Sequence, residues 1–271
     1  MKVRMYNVGF GDCFCLRDRK KSLLVDFGTN NSRIEGRPRR EIFDVIISDL
    51  STIKSKNLLL THFHMDHLSG LLYMMKKKDI SVDFGKIYLP DVFSKKEMSR
   101  TLVLLLLADL LKESGLPSRQ VSLFALVDAL LENKQNVELL SRGKLFENKY
   151  QALWPDTDVI RKETDEVYNR ICEDGKFKEV MDVLLEFAEK LRLIVWSMTA
   201  EGNKPAETVE KETDLTASEL TEQPEVRQKI IRAYVYEREF RRIKALPDFK
   251  KLLAWLNENQ INLRQFKHKI S

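Results

Sequence analysis

Cysteine is scarce in this 271-residue chain, with only Cys13, Cys15 and Cys172. An odd number, two of them one residue apart, excludes a disulfide framework and predicts reduced packing thiols in a cytoplasmic protein. Without a second cysteine pair, Cys13 and Cys15 make a poor zinc site. Long apolar runs are also missing. The longest, Leu102–Ala108, falls far short of the roughly 20 residues a membrane span needs, and reads as buried helix. The start, Met1-Lys2-Val3-Arg4-Met5-Tyr6, has no apolar stretch of the kind a secretory signal carries. Glycine and proline number only 10 and 7. No Walker-type loop, G-x-S-x-G elbow or G-x-G-x-x-G turn is present, which removes the commonest nucleotide and serine-hydrolase signatures.

What remains is 43% hydrophobic and 32% charged, enough to bury a core and to exclude global disorder. The net charge of +5 is unevenly spread. Residues 201–225 carry eight acids against two lysines, with Pro205 and Pro224, so 200–225 reads as an acidic linker. Residues 226–271 carry twelve basic residues against four acids, read as a basic helical segment. Arg241, Arg242, Lys244, Lys250 and Lys251 are its candidates for meeting phosphates.

The pattern mixes strands and helices up to about residue 93, then turns helical. Short apolar runs at 3–8, 13–16 and 23–25 predict strands, as do 57–61 and 86–90. Apolar spacing over 40–53 and from Asp66 through Met75 predicts amphipathic helices. Helices are expected over 95–114, 118–133 and 158–197, with a short strand near 150–155 and further helices over 226–244 and 248–259.

Chemistry concentrates in one place. Three of the four histidines fall in Thr61-His62-Phe63-His64-Met65-Asp66-His67-Leu68-Ser69-Gly70, directly after the apolar strand 57–61. His62 and His64 are two apart, so their rings can share a side of an extended segment. Asp66 and His67 open the following helix and can converge on them. Imidazole and carboxylate are the ligands of Zn²⁺, Mn²⁺ or Fe²⁺, and two ligand pairs this close suit a pair of ions.

HxHxDH after a strand resembles the signature of the metallo-β-lactamase fold, a superfamily of metal-dependent hydrolases. Upstream, Val8-Gly9-Phe10-Gly11-Asp12-Cys13 resembles the turn that opens the lactamase-like domain of bacterial competence (DNA-uptake) proteins. Leu24-Val25-Asp26-Phe27-Gly28 resembles their next strand, Lys86–Pro90 a later one, and Ala152-Leu153-Trp154-Pro155 the one beyond it. The resemblance implies an α/β fold, an αββα sandwich, and two divalent ions, zinc first and manganese or iron as alternatives. It makes His62 and His64 ligands of one ion, and Asp66 and His67 ligands of the other. Asp66 would also orient or deprotonate the attacking water. Asp26 would support the histidine loop by hydrogen bonding, with Asp12 close by.

The later Gly-Asp and histidines that complete such a site have no counterpart, and His268 is the one remaining candidate for a third ligand. The expectation is therefore an incomplete, N-terminal half of the domain, a fragment over 1–93, with a large helical insertion over 94–199. Two functions stay open. One is metal-dependent hydrolysis of phosphodiester or related bonds, nucleic acid included, with weak metal loading and little turnover expected of this chain without the second half of the domain. The other is a non-catalytic binding or regulatory module that keeps half a site and meets a protein partner through the insertion.

Overall fold

The structure is a computed structural model. It describes residues 1–18, 21–77, 83–112, 122–132, 136–173, 175–200, 242–243 and 245–259, with single positions 261, 263 and 266. The expected acidic linker, most of the basic C-terminal segment, Arg241, Lys244 and His268 lie outside the described residues.

The N-terminal apolar runs form three antiparallel strands, β1 (Lys2–Met5), β2 (Phe14–Asp18) and β3 (Lys21–Val25). A two-strand ribbon, β4 (Arg33–Ile34) and β5 (Arg37–Pro38), leads into helix α1 (Arg39–Ser51). Then come β6 (Ser55–Leu59), α2 (Met65–Lys76) and β7 (Ile87–Pro90). Strands β3, β6 and β7 pair in parallel. Both crossovers step the same way along the sheet, so the right-handed rule puts α1 and α2 on one face. The sheet ends with β8 (Val137–Leu140), in the order β1-β2-β3-β6-β7-β8.

Register explains the core. Cys15, Leu24, Leu58, Ile87 and Val137 fall in one line across five strands, each at most 1% exposed. From α1, Phe43, Ile46, Ile47 and Leu50 bury themselves, and Asp49 ties the helix to Arg4, Tyr6 and Arg17. On the opposite face, Leu23, Tyr88 and Leu140 pack with Phe146 and Ala152. Those two belong to a hairpin of β9 (Leu145–Phe146) and β10 (Tyr150–Gln151). The hairpin is pinned by Glu147, which accepts hydrogen bonds from Asn57 and from the Tyr88 hydroxyl. Cover on this face is partial, for Val3 and Met5 of β1 remain exposed.

Contacts divide the chain into two units. Met1–Asp91 and Ser122–Asp156 make the first, in which helix α4 (Ser122–Glu132) packs on α2. The sequence reading assigned 94–199 to a single insertion. Here its middle part groups with the strand-rich unit, because Val137-Glu138-Leu139-Leu140, a run too short to announce itself, completes the sheet beside β7. The strand expected near 150–155 is confined to Tyr150–Gln151.

The second unit is helical. Helix α3 (Ser99–Lys112) packs against α5 (Thr157–Cys172) and α6 (Lys178–Ser197). Its run Leu102–Ala108 is fully enclosed, which is why it is apolar on all sides. Arg192 of α6, 3% exposed, pairs with Glu189 and donates to the carbonyls of Phe93 and Ser94. The single helix expected over 158–197 is two. Gly175, at φ +65°, donates its N–H to the Cys172 carbonyl and ends α5. Helix α7 (Pro247–Glu258) buries Phe249, Leu252 and Leu256. No helix among the described residues is long and apolar enough to cross a membrane.

Candidate metal centre

Parallel pairing brings the carboxyl ends of β3 and β6 side by side, and the site grows from that edge. Beyond β3 the chain turns at Asp26, a non-glycine residue at φ +54°. Such a conformation is costly for an L-residue and marks a position held by its surroundings. Asp26 is 3% exposed. Its backbone N–H donates to the Leu59 carbonyl at 2.8 Å. Its side chain accepts from Thr61 twice, from the backbone N–H at 2.8 Å and from the hydroxyl at 2.7 Å.

Beyond β6, the residues 61–64 loop over to the N-terminus of α2. His64 is its N-cap, and its carbonyl accepts the N–H groups of His67 and Leu68. Asp66 stands in the first turn, where a carboxylate suits the helix dipole. The segment 26–29 grips this turn from below. Phe27 donates to the His67 carbonyl at 2.7 Å and accepts from Gly70 at 2.8 Å, while Thr29 and Ser69 exchange two hydrogen bonds at 2.9 Å. The loop between β1 and β2 closes the assembly, with Asp12 donating its N–H to the Asp66 carbonyl at 3.3 Å.

Two glycines make this packing feasible. A Cβ on Gly28 would lie 2.6 Å from backbone atoms of Asp66 and Leu68, and one on Gly11 would lie 2.3 Å from the Gly28 carbonyl oxygen. No side chain fits at either position. Gly11 and Gly28 thus let three backbone segments touch behind the histidines.

The functional side chains gather around His67, which is 9% exposed. Its Nδ1 is 3.0 Å from Asp26 Oδ2 and 3.7 Å from Asp12 Oδ2, and its Nε2 is 3.7 Å from Asp66 Oδ2. The His62 ring lies 3.6 Å, centroid to centroid, from that of His67, and 4.8 Å from that of His64, which stands perpendicular to it. Burial lowers the His67 pKa, but the hydrogen bond to Asp26 and the charges of Asp26, Asp66 and Asp12 outweigh it, and the value is raised. Three carboxylates focused on one imidazole make a pocket that favours positive charge.

Asp12, Asp26 and His67 each offer a ligand atom within 4.8 Å of the others. Among the described residues this is the group of histidines, cysteines and acids able to hold an ion. The donor set of imidazole nitrogen and carboxylate oxygen fits a divalent cation of the zinc, manganese or iron type. Of the six residues singled out in the first 90, this group holds Asp12, Asp26 and His67, two of them expected only as supports; His62 and Asp66 border the His67 ring and His64 borders His62, but these three expected ligands are not part of it.

Thr61 drew no attention in the sequence, although its place directly before the first histidine was a signal. Asp91, 9% exposed at the carboxyl end of β7, also lies at this end of the sheet. Cys13 and Cys15 are buried thiols. Burial, then Cys15, Asp26 and Asp12, push the Cys13 thiol well above its ordinary pKa, which suits packing rather than metal binding.

The model of the metallo-beta-lactamase superfamily matches residues 6–91. The match spans β2, β3, α1, β6, α2 and β7, and every residue of the candidate centre. No curated protein and no solved structure matches the chain.

Proposed function

We propose that this chain carries a metal-dependent hydrolytic centre of the metallo-beta-lactamase type, directed at phosphodiester or related bonds. One observation supports the reading: at the joined ends of β3 and β6, His62 and Asp66 border the His67 ring, His64 borders His62, and Asp26 backs His67. His62 and His64 would hold one ion, and Asp66 and His67 a second. Divalent ions at such a centre supply a water of low pKa and neutralise charge on the leaving group.

The chain's own residues do the rest. Asp66, 21% exposed in its side chain and next to His67, accepts a proton from the incoming water. Asp26 keeps the His67 ring in place through Nδ1. The half-exposed Asp12 carboxylate adds negative potential beside His67 Nδ1. Nucleic acid is the substrate class we favour, by the likeness of the 8–13 and 24–28 motifs to the DNA-uptake proteins.

Elemental analysis of the purified chain, followed by turnover of bis-nitrophenyl phosphate with Mn²⁺ or Zn²⁺, tests the proposal. Partial metal loading and weak turnover, both abolished by His64→Ala, are expected of a centre with these ligands alone. Unchanged turnover in the double variant Asp66→Ala, His67→Ala would refute the two-ion assignment.

A further inference from the structure

A histidine can bind a cation only through an unprotonated nitrogen, and the hydrogen bonds around Asp26 decide which nitrogen that is in His62 and His67. A carboxylate has acceptors alone. Asp26 Oδ1 takes the Thr61 N–H at 2.8 Å, and Oδ2 takes the Thr61 hydroxyl at 2.7 Å. The one proton of that hydroxyl is thereby committed. Thr61 Oγ1 also lies 2.9 Å from His62 Nδ1, where it can only accept, so His62 carries its proton on Nδ1. His67 Nδ1, 3.0 Å from Asp26 Oδ2, is likewise a donor.

We infer that Thr61 is a positioning residue: it relays the Asp26 carboxylate to His62, so that one buried acid sets the tautomer of two histidines and leaves Nε2 of each as its unprotonated nitrogen. The second nitrogen of a metal-bound histidine needs such a fixed partner. The same tautomer removes His67 Nδ1 from the possible ligands and makes its Nε2, next to Asp66, the binding atom. This deepens the proposed function in naming what Nε2 is for, but the tautomers themselves are a property of the metal-free chain.

The test uses the full chain with ¹⁵N-labelled histidine, stripped of metal, in long-range proton–nitrogen correlation spectra at mildly alkaline pH. Only four histidines need assignment. His62 and His67 are expected as Nδ1–H tautomers. In Thr61→Val, His62 moves toward the Nε2–H form that an unconstrained imidazole prefers, by roughly two- to tenfold in tautomer ratio, while His67 stays. Thr61→Ser, which keeps the hydroxyl, retains the wild-type ratio. Zn²⁺ titration of the same proteins should show uptake about tenfold weaker in Thr61→Val than in Thr61→Ser. A wild-type His62 found mainly as Nε2–H overturns the inference without any variant. So does an unchanged ratio in Thr61→Val, or a shift in Thr61→Ser as large as in Thr61→Val. Wild-type chain with the expected tautomers that takes up no Zn²⁺ would defeat the proposed function and leave the role of Thr61 standing.

Discussion

Replacing Gly28 by alanine probes whether the histidine loop is held by backbone contact. The added methyl would sit 2.6 Å from Asp66 C, Asp66 O and Leu68 N. None of these is the far end of a flexible side chain, so the start of α2 must retreat by about 0.8 Å to reach ordinary contact at 3.4 Å. That motion strains the bonds from Phe27 to the His67 carbonyl and from Gly28 to the Asp12 carbonyl, 2.7 Å and 3.2 Å long. Overpacking costs about 1–3 kcal/mol, and a weakened hydrogen bond about 1 kcal/mol more, so Gly28→Ala is expected to lose about 3 kcal/mol. Gly36→Ala is the control. Gly36 has φ +79°, and a methyl added there would meet nothing within 4 Å, so it should lose only the left-handed penalty of about 1 kcal/mol. Urea unfolding reads both. With Trp196→Phe and Trp255→Phe as background, Trp154 reports from the unit that contains Gly28. A Gly28→Ala midpoint equal to wild type, or a Gly36→Ala loss as large, would refute the claim that backbone contact shapes the site.

Asp26→Asn should bring the His67 pKa down toward its ordinary value, measured by titrating its ring protons. The sign for stability follows from the raised folded-state pKa. In wild type, the charged pairing stabilises the metal-free fold fully below the unfolded value of 6.5 and fades as pH rises through the higher folded one. Urea unfolding from about pH 6 to about pH 8 should show that decline in wild type and a flatter profile in Asp26→Asn. Glu147→Ala should cost about 1–3 kcal/mol by leaving the Tyr88 hydroxyl and Asn57 without their shared acceptor. Glu147→Gln should recover part of the loss in the same assay, and equal losses would show that the hairpin is held by packing alone.

Periodicity was enough for much of this molecule. The short apolar runs 23–25, 57–61 and 86–90, and the helical spacing over 40–53 and from Asp66 through Met75, all correspond within a few residues to elements of the sheet unit. The crowding of His62, His64, Asp66 and His67 into six residues was visible as a chemical signal for the same reason: local ligands need no tertiary information to be noticed. Long-range pairing was different. Strand β8 is four residues whose identity as a strand depends on β7 beside it, and the break before α6 depends on one glycine taking a left-handed conformation.

Sequence alone, then, determined that a cluster of candidate metal ligands sits between a buried strand and a helix, because hydrophobic period and ligand spacing are local properties. Only the tertiary structure decided that Asp26, some forty residues from His67, lies 3.0 Å from its ring, that Thr61 links that acid to His62, and that Gly11 and Gly28 are glycines because backbones meet there. Those facts arise from parallel strands ending together, and no window of sequence contains both sides of such a contact.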